Sequence, residues 1–528
     1  MSQLYQKLLE NAQQDPARTT LIEGDTRWSA EQFLSQVNRL AALLQQAFNI
    51  RSHDRVALMF WNQKELLLGL FACRQLGAVP LPINIQMPPS DIQYVFQDAG
   101  VTLVLAATDL ARPWVESGNP LPFAVILSGN AEETGVLGHL PCLETLLAET
   151  APLAPEWCAP HEADTLSILL YTSGTTGNPK GVMLSEDNLL GNLHGFHQVL
   201  AFSEQETILL ALPLFHAYGL MIGLYAFWMK IPIVLVPKFA PKSMVKAIAE
   251  ERVTLLPLVP TMFTLLLEMA ERTGLEAFNS LKLCVSGGAS LPTALLKRIE
   301  ETLGVVVLEG YGLTETSPVL AVNDPKVGSV PGAVGRVLPN VEMRLVDANE
   351  NVIPVAPGVA SAEGEVRVKG PNVMLGYYQL PEATQEVFDA DGWFKTGDLG
   401  HFDEHGNLLI SGGRIKDLVI KAGENISPLG VERVLYQHPA VAEASVIGVK
   451  DDRLGEAILA CIELKPDTTL TEAALKAHCR EHLTPLMVPD RVRFYASLPK
   501  GPTGKILKKV LRAENQPETL VAHSATTT

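Results

Sequence analysis

The segment YTSGTTGNPKG, residues 171–181, places three glycines, four aliphatic hydroxyls and one lysine in eleven positions. Glycines let backbone amides turn toward an anion, and Thr172, Ser173, Thr175 and Thr176 can donate hydrogen bonds to it. This is the composition of a loop that wraps phosphate oxygens. Its spacing departs from the nucleotide P-loop G-x-x-x-x-G-K-[ST]. Pro179 stands five positions after Gly174, and Lys180 is followed by Gly181, so no Ser or Thr is left to hold magnesium. Read alone, the segment also suits a small-residue surface turn.

Its flanks favour the phosphate reading. TLSILLY before it reads as a buried strand, and GVMLS after it as a short strand. EDNLLGNLHGFHQVLA then reads as a helix, with Ser185 as N-cap and two acids in the first turn. The loop is expected to leave a sheet end, where ligands collect in open α/β structures. A distant segment, EGYGLTETSP at 309–318, places Glu315 after Thr314 and two glycines. A glutamate is a natural magnesium ligand and would supply what the loop lacks. A helix-capping or solvent-facing acid is the alternative.

Outward from these segments, helical periods alternate with short apolar runs from about 30 to 260, as in AEQFLSQVNRLAALLQQAF, RVALMF, KELLLGLFACRQLG and VTLVLAA. That pattern predicts helices covering largely parallel sheets. After 330, VEMRLVD, GEVRVKG and HGNLLISG between Pro, Gly and Asn turns predict a β-rich unit. Beyond SGGRIKD, the strands AEASVIGV and EAILACIEL and the helix TEAALKAHCREHL predict a small α+β domain. The expected class is α/β: residues 1–412 as a large domain with its β-rich part at about 330–412, 413–417 as a hinge, 418–515 as a mobile cap, and 516–528 as a tail.

At 528 residues with 47% apolar and 19% charged residues, the chain is globular and long enough for several domains. A net charge of −17 argues against a nucleic-acid partner, though not against a nucleotide. Six scattered cysteines without a CxxC pair read as reduced thiols of a cytoplasmic protein. No secretory signal is expected from the first residues, and no S-K-L address from the last. YGLMIGLYAFWMKIPIVLVP, 218–237, could pass for a membrane span. Lys230 and Pro232 interrupt it, so a buried helix followed by a buried strand is expected.

YTSGTTGNPKGV, VSGGASLP, GYGLTETSP, GWFKTGDLG, GRIKDLVIKAGENISP and LPKGPTGKILKK, in that order, resemble the adenylate-forming superfamily over nearly the whole chain. That superfamily comprises acyl-CoA synthetases, adenylation domains and firefly-type luciferases, and the likeness is strongest to fatty acyl-CoA synthetases. The resemblance implies a carboxylate reacting with ATP to give acyl-adenylate and pyrophosphate, after which a thiol displaces AMP. It implies ATP, Mg²⁺ and CoA as reactants.

By the same resemblance, Thr172, Ser173, Gly174, Thr175, Thr176, Gly177 and Lys180 clasp the β and γ phosphates. Thr314 touches the α-phosphate, and Glu315 holds Mg²⁺. Gly287, Gly288, Ala289 and Tyr311, with Glu309 and Gly310, frame the adenine. Asp398 accepts the ribose hydroxyls and Arg414 lies beside them. Lys505 bridges the substrate carboxylate and the α-phosphate. Lys416 is the pivot, and Lys421, Gly423 and Glu424 face the pantetheine path. Lys508 and Lys509 read as a solvated helix face opposite an apolar stripe of Ile506, Leu507, Val510 and Leu511.

Amino-acid-activating relatives place an Asp after a Phe to pair with the amine. Here His216 follows Phe215 with no acid nearby, so an α-amino acid is disfavoured. His216 is a candidate for closing the pocket beside the carboxylate, with a packing histidine as the alternative. The apolar surroundings, with Gly219 and Gly223, favour a fatty or other hydrophobic acid. The expected acceptor is CoA. An acyl-carrier protein, a luciferase-like oxygenase and a non-catalytic nucleotide binder are the alternatives.

Overall fold

Continuous apolar runs between helical periods build two sheets in the first part of the chain. The computed structural model describes residues 2–116, 124–129, 140–160, 165–172, 178–414, 417–421, 424–451, 454–501 and 506–515; the side chains of 412–414, 424 and 425 are outside that description. One sheet is all parallel, ordered Val79–Pro82, Arg55–Met59, Leu103–Ala107, Ala124–Ser128. Leu103–Ala107 is buried at every position, as expected of a strand covered on both faces.

The larger sheet has nine strands. Parallel strands Thr19–Glu23, Ile233–Leu235, Ile208–Leu210, Leu255–Leu258, Leu283–Ser286 and Val306–Gly312 form its body. Antiparallel strands close both of its edges. The 218–237 segment lies in this body as predicted. Helix Ala217–Met229 ends at Lys230, whose φ of 59° is left-handed, and Ile233–Leu235 follows as a buried strand. Among the described residues no helix is long and apolar enough to cross a membrane.

Ser185 caps helix Glu186–Leu200 by accepting from the Asn188 amide, as the sequence predicts. The first of the two acids in that turn is not solvated, however. Glu186 is buried and pairs with Arg74 at 3.0 Å. Its carboxylate also takes Ser2 Oγ at 3.0 Å and the Leu4 amide at 2.7 Å, which fixes the N-terminal helix Gln3–Gln14.

The β-rich unit is an antiparallel sheet ordered Val352–Ile353, Glu342–Val346, Gly364–Lys369, Phe394–Phe402, Leu408–Arg414. The C-terminal unit has its own sheet, in which Val441–Asp451 and Gly455–Leu464 pair over most of their length. Side chains alternate across it, apart from a bulge between Val441 and Glu443. Val446, Ile458 and Ala460 face one core with Val431 and Leu475, while Ile447, Val449 and Leu459 face another with Leu511. Of the apolar stripe read in the last helix, Leu511 is buried and Ile506 partly so, but Leu507 and Val510 are exposed. A seven-residue helix, Lys508–Glu514, is too short to bury the whole stripe.

The small C-terminal unit meets the large one through helix Pro428–Leu435. Ser427 Oγ donates to the Ser411 carbonyl at 2.9 Å, and an Arg433 N–H donates to the Ile410 carbonyl at 3.0 Å.

Candidate active site

A cleft of about 620 Å³ lies between the two units. Tyr311, Thr314 and Asp398 line it from the large unit, and Glu432, Tyr436, Ile506 and Lys508 from the small one. Four segments far apart in sequence therefore converge on one space.

The glycine-rich segment enters this region differently from its expected route. Leu166–Thr172 and Lys180–Ser185 are antiparallel partners, with Thr172 opposite Lys180, and Gly376–Tyr377 pairs on the other side of Lys180–Ser185. The loop thus joins the two strands of a hairpin in a small three-stranded sheet, instead of leaving a parallel one. Ser173, Gly174, Thr175, Thr176 and Gly177 lie outside the described residues. The hairpin stem is anchored by Asp98, whose carboxylate accepts the hydroxyls of Tyr171 and Tyr94.

Lys180 and Glu315 share a neighbour. The Lys180 ammonium sits 4.9 Å from the Tyr377 ring centroid, a cation–π contact, and Tyr377 Oη donates to Glu315 Oε1 at 2.9 Å. Met374 N donates to the Glu315 carbonyl at 2.9 Å, fixing the short helical turn Thr314–Thr316. Tyr377 and Asp98 escape motif reading because their partners lie many residues away and neither stands in a characteristic spacing.

No group of three or more His, Cys, Asp or Glu among the described residues could hold a metal unaided. Magnesium in phosphate chemistry needs only one or two carboxylates, with phosphate oxygens and water completing its shell. A lone Glu315, tied through Tyr377 to the phosphate hairpin, fits that mode.

On the opposite wall, Tyr311 Oη donates to Asp398 Oδ2 at 2.6 Å. Asp398 is nearly buried on Phe394–Phe402, in register with Arg414 on Leu408–Arg414. The Arg414 side chain is not described. Gly288, with a φ of 80°, and Ala289 follow strand Leu283–Ser286 and line the same cleft. A backbone with that dihedral is strained for any residue bearing a Cβ. Gly287 faces the smaller cavity beside the cleft.

Glu309 and Gly310 also line the cleft. Glu309 is buried and accepts the Leu291 amide at 3.0 Å. Burial pushes its carboxyl up to about 7, against the Leu291 hydrogen bond and the Arg433 charge, which pull it down. The folded protein therefore binds more protons than the unfolded chain between the ordinary 4.5 and about 7. This group's contribution to stability is lost as pH rises through that window. Glu309→Gln keeps an acceptor for Leu291 but cannot titrate. Its thermal midpoint, followed by calorimetry from about pH 5 to 8, is expected to fall less than that of the wild type. Parallel slopes would refute the assignment.

His216 lines the smaller cavity, and its Nε2 is secluded with no hydrogen-bond partner among the described residues. Burial lowers its pKa to about 4, so the ring is neutral near pH 7. A neutral imidazole beside a cavity can bond a carboxyl oxygen without adding charge.

Gly219 and Gly223 do not provide room for a substrate. A Cβ on Gly219 would stand 2.4 Å from the Pro213 carbonyl oxygen, and one on Gly223 would stand 3.2 Å from Leu214. Their small size lets helix Ala217–Met229 press onto the preceding chain.

Lys421 is likewise engaged, its buried ammonium 2.8 Å from Asp490. Lys508 is no solvated bystander, since it lines the cleft and pairs with Glu432 at 2.8 Å. Lys505, Lys416 and Gly423 lie outside the described residues, as does the Glu424 side chain.

Residues 8–378 match the AMP-binding enzyme family, and residues 430–505 match the AMP-binding enzyme C-terminal domain. The long-chain-fatty-acid–CoA ligase of Salmonella typhimurium is 34% identical over 503 residues, covering 90% of this chain and 88% of the relative. The sulfoacetate–CoA ligase of Cupriavidus necator is 33% identical over 448 residues, covering 84% and 83%. ATP-bound MatB from Rhodopseudomonas palustris superimposes with a TM-score of 0.86 at 30% identity, covering 98% of this chain and 99% of that one. The chain belongs to the AMP-binding enzyme family. Its large N-terminal and small C-terminal domains both follow that family's architecture.

Proposed function

We propose that this protein is an AMP-forming acid–thiol ligase that activates a hydrophobic acid of fatty type and transfers the acyl group to CoA. Its reactants are ATP, Mg²⁺, CoA and a small-molecule carboxylic acid. The observation that carries this reading is the adjacency of the Tyr311–Asp398–Thr314 cleft and the apolar cavity beside His216. One accommodates a nucleotide and the other an acid, with Gly310–Thr314 as their shared wall.

In the first step a carboxylate oxygen attacks the α-phosphorus and pyrophosphate leaves. Both reactants are anions, so alignment and charge neutralisation dominate. Asp398 accepts the ribose hydroxyls while Tyr311 fixes the carboxylate that does so. Gly287, Gly288 and Ala289 flank the adenine, with Glu309 behind it. Thr314 donates to the α-phosphate, and Lys180 with the 172–177 segment holds the phosphates that depart. Mg²⁺, when bound at Glu315, neutralises phosphate charge. His216 donates to the substrate carboxyl, and Lys505 bridges it to the α-phosphate, with Arg414 at the ribose. Ile506 and Lys508, which follow Lys505 in the chain, line the cleft and support that role.

In the second step a thiol attacks the acyl carbonyl and AMP leaves. A lysine bridging the first reaction would obstruct that thiol. The proposed division is a body of 1–412, a hinge of 413–417 pivoting at Lys416, a cap of 418–515 and a tail of 516–528. Gly423 and Glu424 then face the pantetheine arm, while Lys421, at the end of the preceding strand Val419–Lys421, pairs with Asp490.

The test is pyrophosphate release over a panel of acids, each with CoA and with loaded acyl-carrier protein. Thioester is expected on CoA. Turnover only with the carrier protein would replace the acceptor, and silence across the panel would sink the ligase reading.

A further inference from the structure

We infer that the acid activated here is compact, a single-ring acid or a straight chain of about six to eight carbons, and not a long-chain fatty acid. This rests on the proposed acid-binding role of the cavity beside His216. That cavity measures about 160 Å³. An apolar protein cavity of about 150 Å³ takes one benzene. A palmitoyl chain carries more than twice as many carbons. Part of the volume is also the mouth, since Gly310–Thr314 border the nucleotide cleft as well. The space left for the acyl tail is smaller still.

The inner wall is rigid. Phe196 is fully buried, with its ring edge-on to Tyr225 at 5.1 Å and to Phe202 at 6.2 Å. Tyr218 is held by its hydroxyl, which donates to the Val285 carbonyl at 3.1 Å. Val319 and Val322, on one buried strand, complete the wall. Past Ala217 the described residues leave only a small space. It is a void of about 10 Å³ walled by leucines and Met221, room for one water at most. Helix Ala217–Met229 is close-packed at Gly219, where an added Cβ would stand 2.4 Å from the Pro213 carbonyl oxygen and 2.9 Å from that of Leu212. Opening a longer tunnel would require repacking of these side chains.

The experiment measures kcat/KM for pyrophosphate release by the full chain with straight-chain acids from acetate to palmitate, plus benzoate and phenylacetate. The optimum is expected between hexanoate and octanoate or at a ring acid, with palmitate at least about a hundredfold poorer. Palmitate matching or exceeding octanoate would overturn the inference while leaving the ligase function intact. Silence from every acid would overturn both. Two wall variants give an independent reading. Val322→Ala is expected to shift the optimum toward longer chains. Val322→Phe is expected to lose octanoate while keeping propionate. Circular dichroism confirms that each is folded, and unchanged chain-length profiles in both would reject the assigned wall.

Discussion

Lys505→Ala is expected to slow acid-dependent pyrophosphate exchange by roughly two to three orders of magnitude. Thioester formation from supplied acyl-adenylate should continue at near the wild-type rate. The reason is electrostatic. A carboxylate approaching a triphosphate is repelled until a fixed cation stands between them, and the bond between carboxyl and phosphorus forms in that field. Once the adenylate exists, the thiol attacks a neutral carbonyl and the cation has no comparable role. The measurement pairs isotope exchange with a single-turnover thioester assay on the same preparation. A folded variant equally impaired in both would end the proposed division of labour. Lys508 provides the control. It lies near in sequence and lines the same cleft, but its ammonium is committed to Glu432.

Arg74→Ala is expected to destabilise the protein by roughly 3–5 kcal/mol. Arg74 and Glu186 are 3% and 0% exposed, and their pair is 3.0 Å long. Removing the guanidinium strands a carboxylate in the core. Ser2 Oγ and the Leu4 amide still donate to it, but neither carries a full charge. Pairing the change with Glu186→Gln should recover part of the loss, because no buried charge is then left unmatched. The Arg298–Glu271 pair, 40% and 50% exposed, is the comparison. Its removal is expected to change stability by about 0–1 kcal/mol. Denaturant titration distinguishes these cases, and a loss from Arg74→Ala as small as the surface control would contradict the argument.

Local patterns proved readable and long-range ones did not. The Ser185 cap, the buried helix and strand of 218–237, and the strands and helix of the C-terminal unit each depend on neighbours within a few residues. The strand–loop–strand–helix order around the glycine-rich segment is legible in the sequence, but the antiparallel pairing of its two strands is not. A strand followed by glycines has the same local signature in a hairpin and at the exit from a parallel sheet, and only the pairing of Thr172 with Lys180 separates them. Gly219 and Gly223 show the same limit. A glycine in a helix signals that something comes close, but not whether it is a ligand or the chain itself. Of the site, the motif residues Tyr311, Thr314 and Asp398 do share a cleft. Tyr377, which links Lys180 to Glu315, could be found only in three dimensions.

The bonds from Ser427 and Arg433 to the carbonyls of Ser411 and Ile410 have a mechanical consequence. Their acceptors are main-chain atoms at the very end of the large unit, so the grip does not depend on which side chains occupy 410 and 411. Two such bonds, one from a guanidinium, contribute together only about 2–4.5 kcal/mol. In the domain rotation proposed above, this fastening acts as a detent: it favours one resting angle of the small unit and must be broken for that unit to turn.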